Sequence, residues 1–406
     1  MKIMNRSIIL AHPFGNANVR QALRAFHEAG LLETFITSIS ADHLRGVGFL
    51  PQSVRSEIKR RQFSDLLSDS IESHPYLEGL RLLGKRLGSK VPSLSPLFPS
   101  ADDVWASIDQ ALSNRVLKND TPNLSIYAYE DGASKSFAVA KTTRKIYELP
   151  IGYWKSMHSI LGYEKEVNPA WSITLQGLKD PQDKLERKEV ELRLADKIVV
   201  PSSFVSETLP EIYRAKATTI PYGCPPPLVE NQLAPSRNGP LRVFFCGSLG
   251  QRKGISYLFD AVARMGPAVE LTVVGSMVAP CPALTRAMER TKWYQSVPRE
   301  KVLELMRQSD VMVFPTLFEG RALVVLEALS QGLPVITTEN SGTEDVVVDG
   351  ESGFLVPIRS VEEICSQLER IYHDRDLLAH LKAGALSVAG QSGWDVYRRA
   401  LVRAMQ

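Results

Sequence analysis

The stretch DVMVFPTLFEGRALVVLEALSQGLPVITT, residues 310–338, decides the fold. DVMVFP (310–315) reads as a buried strand ending at Pro315. RALVVLEALSQG then reads as a helix of strong formers from Arg321 to Gln331, closed by Gly332. PVITT (334–338) is a second strand, so the stretch is one strand–helix–strand unit of a parallel sheet. Within it Glu319 and Glu327 flank the start of the helix. The first sits at its mouth beside the N–H groups of the first turn, the second roughly 9 Å further along the axis at about 1.5 Å per residue.

The same alternation extends in both directions. SIILA (7–11), TFITS (34–38), LSIYAY (124–129), KIYEL (145–149) and DKIVV (196–200) read as strands of a first unit. LRVFFCG (241–247) and VELTVVG (269–275) join 310–315 and 334–338 in a second. Between them lies IPYGCPPPLVENQLAPSRNGP (220–240), with six of the chain's 25 prolines, which suits neither a helix interior nor a central strand. The expected division is 1–222, with a helical insertion at about 41–122, then 223–388, then a last amphipathic helix over 389–406 packing back on the first domain.

Composition bounds the function. Of 406 residues, 44% are apolar and 23% charged, as in an ordinary globular protein. Lys plus Arg number 48 against 45 Asp plus Glu, which gives no reason to expect a nucleic-acid partner. The apolar stretch at 7–11 is too short for a signal-peptide core, and no run of about 18 apolar residues suggests a membrane span. Cys224, Cys246, Cys281 and Cys365 lie far apart without C-x-x-C spacing, and read as small buried hydrophobes in a reducing, cytoplasmic compartment. In YLEGLRLLGKRLGSKV (76–91), Leu80, Leu83 and Leu87 share a helical face flanked by Arg81, Lys85, Arg86 and Lys90. Packing on its own domain is one reading, and peripheral contact with an anionic membrane at the inner face is the other.

Each half begins with a strand, a glycine-bearing turn and a helix. In IILAHPFGNANVRQALRAFHEAG, Asn16 or Asn18 suits the helix cap and Gly30 the left-handed end. In VFFCGSLGQRKGISYLFDAV, Gly247, Gly250, Arg252, Lys253 and Gly254 lead into the helix. Helix N-termini suit anions, and two cations beside one suit phosphate. Neither turn matches G-x-G-x-x-G or Walker A, which removes the dinucleotide and P-loop readings. Set beside Glu319 and Glu327, the basic turn fits one elongated ligand. Carboxylates accept hydrogen bonds from hydroxyls at its two ends, while cations and main-chain N–H groups take a diphosphate between them.

On these motifs the chain resembles glycosyltransferase family 4, retaining enzymes with the GT-B fold. The resemblance is closest over VFFCGSLGQRKGISYLFDAV, LTVVG and SDVMVFPTLFEGRALVVLEALSQGLPVITTENSGTEDVVVDGESGFLVP. It is looser over the opening turn, ADKIVVPSSF and TTIPYG. It implies an α/β architecture of two Rossmann-like domains facing across a cleft, with a nucleotide-diphospho-sugar donor held by the second. Lys253 matches the lysine at the diphosphate, with Arg252 beside it. Glu319 matches the glutamate near the donor sugar, and Glu327 the one at the ribose. The backbone of Gly320, Arg321, Ala322 and Leu323 lies at the phosphate and sugar, Gly247 opens the basic turn, and Gly15 and Asn16 fall in the loop closing on the diphosphate.

There are departures from the family pattern. Ser248 stands where many members carry arginine. Arg321 and Ala322 replace residues often aromatic and glycine, which bears on the sugar that fits. Pro150 stands where many carry histidine. Glu130, Asp131, Gly152 and Tyr153 are then the acceptor-side candidates, while His12 and His158 read as structural.

The implied reaction transfers a sugar to a hydroxyl of a sugar, glycolipid or other acceptor with retention. Surface-polysaccharide or lipopolysaccharide assembly is the expected setting. The leaving phosphate takes the acceptor's proton, so neither a metal nor a cofactor is expected, and the donor is a substrate. The D-x-D of Asp374 and Asp376 reads as a surface turn. A sugar-nucleotide epimerase, a phosphorylase and a non-catalytic sugar-nucleotide-binding subunit are the competing readings.

Overall fold

The computed structural model describes residues 7–40, 61–63, 70–88, 96–229, 239–289 and 291–406. The first sheet contains β1 (Ser7–Ala11), β2 (Leu32–Thr37), β3 (Ile71–Ser73), β4 (Leu124–Tyr129), β5 (Arg144–Glu148), β6 (Lys197–Val200) and β7 (Ala217–Thr219). Their order is β3-β2-β1-β4-β5-β6-β7, all parallel. The second contains β8 (Leu241–Cys246), β9 (Val269–Val274), β10 (Lys292–Tyr294), β11 (Val311–Phe314), β12 (Val335–Thr337) and β13 (Gly353–Leu355). Its order, β10-β9-β8-β11-β12-β13, repeats the pattern. Each lobe is therefore doubly wound, with strand order reversing between β1 and β4 in one and between β8 and β11 in the other.

The central strands read as near-continuous apolar runs because helices cover both sheet faces. Alternate residues point to opposite faces. Ile8, Leu10 and Tyr127 share a core that runs unbroken into the second lobe, while Ile9, Ala11, Ile126 and Tyr147 belong to a separate core beneath the helix Ala101–Lys118. The last helix, Trp394–Met405, returns to the first lobe as expected. Arg398 Nη1 donates to Gln21 Oε1 (2.6 Å), Arg144 Nη1 to the Met405 carbonyl (3.3 Å) and Lys197 Nζ to the Ala404 carbonyl (2.6 Å).

Several expectations are corrected. The segment about 41–122, read as helical, supplies edge strand β3 as well as the helices Pro75–Gly88 and Ala101–Lys118; residues 41–60, 64–69 and 89–95 lie outside the described ones. In the helix Pro75–Gly88, Arg81 turns to the buried Glu78 (2.6 and 2.8 Å), which Arg61 also reaches (2.6 Å). Tyr76 and Leu83 remain exposed, and the side chains of Arg86, Leu87 and Lys90 lie outside the described residues. Asn16 takes the cap position of the helix Ala17–Glu28 without a side-chain cap bond, and Asn18 faces inward instead. Asp374 caps the helix Arg375–Gln391 by accepting from the Leu377 N–H (2.8 Å), which explains the D-x-D as a helix start. Among the described residues, no helix is long and apolar enough to cross a membrane.

Candidate active site

Both switch points open onto the crevice between the lobes, where ligands of doubly wound sheets bind. From the second lobe come the loops after β8 and β11; from the first come those after β1, β4 and β5.

The loop after β8 forms a single tight turn, Gln251–Lys253, between Gly247 and the helix Ile255–Met265. Gly254 ends it at φ +66°, a conformation that favours glycine, and a Cβ there would fall on the Pro315 carbonyl. This close approach docks the basic turn onto the end of β11. The Arg252 carbonyl accepts from Leu317 N–H (2.9 Å) and Thr316 Oγ1 (3.0 Å). Arg252 Nη1 then donates to the Phe318 carbonyl and to Glu319 Oε1, each at 2.6 Å, and Lys253 Nζ pairs with the same carboxylate oxygen. Burial, with Arg252 beside it, holds the Lys253 ammonium well below its ordinary pKa, and burial lowers Arg252 to about 10. A diphosphate there would add negative charge to that of Glu319 and relieve that pressure further.

The helix after Glu319 spans Leu323–Ser330, two residues later than expected. Ala322 is extended at the cap (φ −71°, ψ 91°) with its N–H on the Ser341 carbonyl (3.0 Å), which leaves Arg321 outside the helix. The Arg321 side chain, 1% exposed, turns away from the helix to Asp345 (2.5 and 3.1 Å), the Gly342 carbonyl (3.1 Å) and the Tyr222 carbonyl (2.9 Å). It therefore offers the crevice its backbone only, and the expectation that its side chain selects a sugar is withdrawn. The first backbone bond into the helix runs from Val325 N–H to the Ala322 carbonyl (2.9 Å), so the N–H groups of Leu323 and Val324 precede the helix's own ladder. Glu327 sits one turn in, roughly 6 Å along the axis. Arg299 Nη2 pairs with it at 2.9 Å, and burial raises its pKa against that pull.

From the first lobe, His12 Nδ1 accepts from the N–H groups of Phe14 (3.0 Å) and Gly15 (3.1 Å), and burial lowers its pKa to about 3. It is a neutral brace that shapes the Gly15–Asn16 loop. Glu130 is largely buried beside Lys188 (3.5 Å), and loss of solvent raises its pKa to about 7. Asp131, at φ 75°, pairs with Arg187 (3.3 Å) and Lys184 (3.6 Å). The two acids thus belong to a charged cluster. Tyr153 is turned away: its hydroxyl donates to Glu189 and its N–H to Thr208 Oγ1 (2.9 Å). Gly152 instead lies across the crevice from the second lobe, where a Cβ would fall on the Phe318 ring. His158 packs edge-on against Trp154, with ring centroids 5.3 Å apart.

The lobes touch directly at the Glu319 loop. A Cβ on Gly320 would fall on the Pro150 carbonyl oxygen, and Ser202 Oγ donates to the Gly320 carbonyl (2.7 Å). Gln251, buried under the basic turn, receives a second brace from the first lobe. Its N–H donates to Thr174 Oγ1 (2.9 Å) and its side chain to Glu164 (2.8 Å), which also accepts from Tyr257 (2.9 Å) and Arg359 (2.7 Å). Sequence reasoning missed Ser202, Gln251, Glu164 and Arg299. Only Ser202 and Gln251 lay within a quoted motif, and the others act from remote positions.

The two cations, the paired carboxylate and the open helix N-terminus sit together at the second lobe's switch point. Residues 231–387 match the model of the family Glycosyl transferases group 1. A D-inositol 3-phosphate glycosyltransferase from Stackebrandtia nassauensis is 27% identical over 256 residues, covering 55% of this chain and 56% of that protein. A lipopolysaccharide 1,6-galactosyltransferase from Salmonella typhimurium is 29% identical over 148 residues, 34% of this chain and 41% of that one. The chain spans about half or less of the length of these relatives. Sucrose-phosphate synthase from Thermosynechococcus elongatus superposes over 98% of both chains with TM-score 0.67 at 18% identity. Anabaena HepE, solved with UDP-glucose, covers 98% of this chain and 99% of its own with TM-score 0.60 at 15% identity. The fold is GT-B: two Rossmann-like α/β lobes facing across a crevice.

Proposed function

We propose that the chain is a retaining glycosyltransferase of the family 4 type, moving a sugar from a nucleotide-diphospho-sugar to an acceptor hydroxyl. The observation that carries this reading is the convergence of Arg252 and Lys253 on Glu319 at the mouth of the helix Leu323–Ser330. The cations match the diphosphate in charge, and the N–H groups of Leu323 and Val324 extend the same anion site. A diphosphate entering there competes with Glu319 for both cations and frees its carboxylate for a sugar hydroxyl. Glu327 then exchanges Arg299 for ribose hydroxyls.

As the bond to the sugar breaks, charge grows on the departing diphosphate, where Arg252, Lys253 and the helix N-terminus stabilise it. The leaving phosphate takes the acceptor's proton, so the step needs no histidine at Pro150. The reading calls for no metal or cofactor, and the donor is a substrate. Gly15 and Asn16 face the diphosphate from the first lobe, and Gly152 with Glu130 and Asp131 marks the acceptor side. The similarity to the lipopolysaccharide galactosyltransferase supports a setting in surface-polysaccharide or lipopolysaccharide assembly. A cytoplasmic enzyme that touches the inner membrane face through the exposed Leu83 and Lys85 of the helix Pro75–Gly88 fits that setting.

Thermal denaturation with uridine, guanosine and adenosine diphosphates tests the donor. A ligand at about 100 times its Kd stabilises the folded state by about 2.7 kcal/mol, so one of the three should raise Tm by several degrees. No shift with any of them contradicts the reading.

A further inference from the structure

The chain crosses between the lobes twice, and the crossings lie side by side. Cys224 N–H donates to the Ser392 carbonyl (2.7 Å), and Cys224 pairs with Gly393 as a parallel bridge. Tyr222 stands within this double crossing, 4% exposed, with its ring against Trp394 and Tyr397 at centroid distances of 6.3 and 5.7 Å.

Its two polar ends face opposite lobes. The carbonyl accepts from Arg321 Nε (2.9 Å), which is fixed to Asp345 in the second lobe. The hydroxyl donates to Glu148 Oε1 in the first lobe. Asn18 Nδ2 reaches both the Tyr222 hydroxyl (3.2 Å) and Glu148 Oε1 (3.4 Å), and Tyr127 donates to the other carboxylate oxygen. Glu148 is fully buried and ends β5. Two residues later Pro150 presents its carbonyl to Gly320, which directly precedes Arg321. The contacts close a ring: Arg321, Tyr222, Glu148, Pro150, Gly320 and back to Arg321.

A buried carboxylate costs desolvation, and here both of its oxygens are spent on neutral donors rather than on a counter-ion. We propose that Glu148 and Tyr222 are positioning residues whose hydrogen bond sets the lobe angle at which Pro150 seats on Gly320. Hinge and crevice contact are then one cooperative unit. The proposal takes the crevice as the reaction site from the transferase reading, but its first test needs no substrate.

The test is hydrogen exchange on the full chain for wild type, Tyr222→Phe, Glu148→Leu, which removes the acceptor that an amide would keep, and the double variant. Losing a buried hydrogen bond to a charged group, worth roughly 1.5–3 kcal/mol, should speed exchange about tenfold or more in peptides covering 149–153 and 318–323. Peptides of β8 and β9 should stay within about twofold of wild type. The double variant should exchange no faster than the faster single, because both changes break one link. For the nucleoside diphosphate that stabilises the protein, Kd should stay within about threefold while turnover falls about tenfold.

Exchange that rises only within 220–224, rises uniformly across the molecule, or adds in the double variant overturns the proposal. If one single variant does not fold, the other decides by the same peptides. Failure to find any bound nucleotide would count against the transferase reading and leave the exchange result to judge the hinge.

Discussion

Glu319 and Glu327 are eight residues apart in sequence, yet the structure gives them different partners, and the proposed function gives them different roles. Glu319 is held by two cations that a diphosphate would claim; Glu327 is held by Arg299 and lies one turn into the helix. Glu327→Ala should weaken binding of the bare nucleoside diphosphate by about tenfold, the worth of one or two hydroxyl hydrogen bonds. Glu319→Ala should leave that affinity equal or improved, since it removes a competitor for Arg252 and Lys253, but should lower turnover by about a hundredfold. Calorimetry and a donor-consumption assay separate the two effects, and identical behaviour of the variants would contradict the assignment. The glutamate pair and the basic turn were legible in sequence because they are local. The inward turn of Arg321 was not, because its partners Asp345, Gly342 and Tyr222 are set by tertiary packing.

Among elements, the strand–helix–strand unit of 310–338 shows what periodicity captures and what it leaves out. Strand β11, the helix and β12 all form, and Gly332 closes the helix at φ 69°, with Leu333 N–H donating to the Ala328 carbonyl (3.0 Å). The helix start moves because the Ala322 N–H bonds the Ser341 carbonyl, outside the helix, and Ala322 itself is extended. The missed strands β3, β7, β10 and β13 are three-residue segments, too short to carry an alternation. The loop between β11 and the helix makes a specific prediction. Because a Cβ at Gly320 would fall on a backbone oxygen of the other lobe, Gly320→Ala should hold the lobes apart without unfolding either. Turnover should drop by at least about tenfold, equivalent to ~1.4 kcal/mol of barrier, while nucleotide affinity changes little. Wild-type turnover in that variant would show that the Pro150–Gly320 contact is dispensable.

For the whole molecule, two sheets of the same winding place their switch points across one crevice, and the chain's return through Trp394–Met405 ties the second lobe back to the first. This architecture was legible from alternating strands, the proline-rich linker and the amphipathic last helix. The contacts that set the lobes against each other, through Ser202, Glu164, Gln251 and Tyr222, join residues from about 75 to 120 positions apart, and no local pattern announces them. The proposed function requires a diphosphate to lie where Arg252 and Lys253 meet the helix N-terminus. Calorimetric titration of wild type and Lys253→Ala with uridine, guanosine and adenosine diphosphates tests it most directly. At least one nucleotide should saturate the wild type, and the variant should bind it about ten- to a hundredfold more weakly, the worth of a charge-assisted contact of roughly 1.5–3 kcal/mol. Equal affinity of the two proteins, or no binding by the wild type, would contradict it.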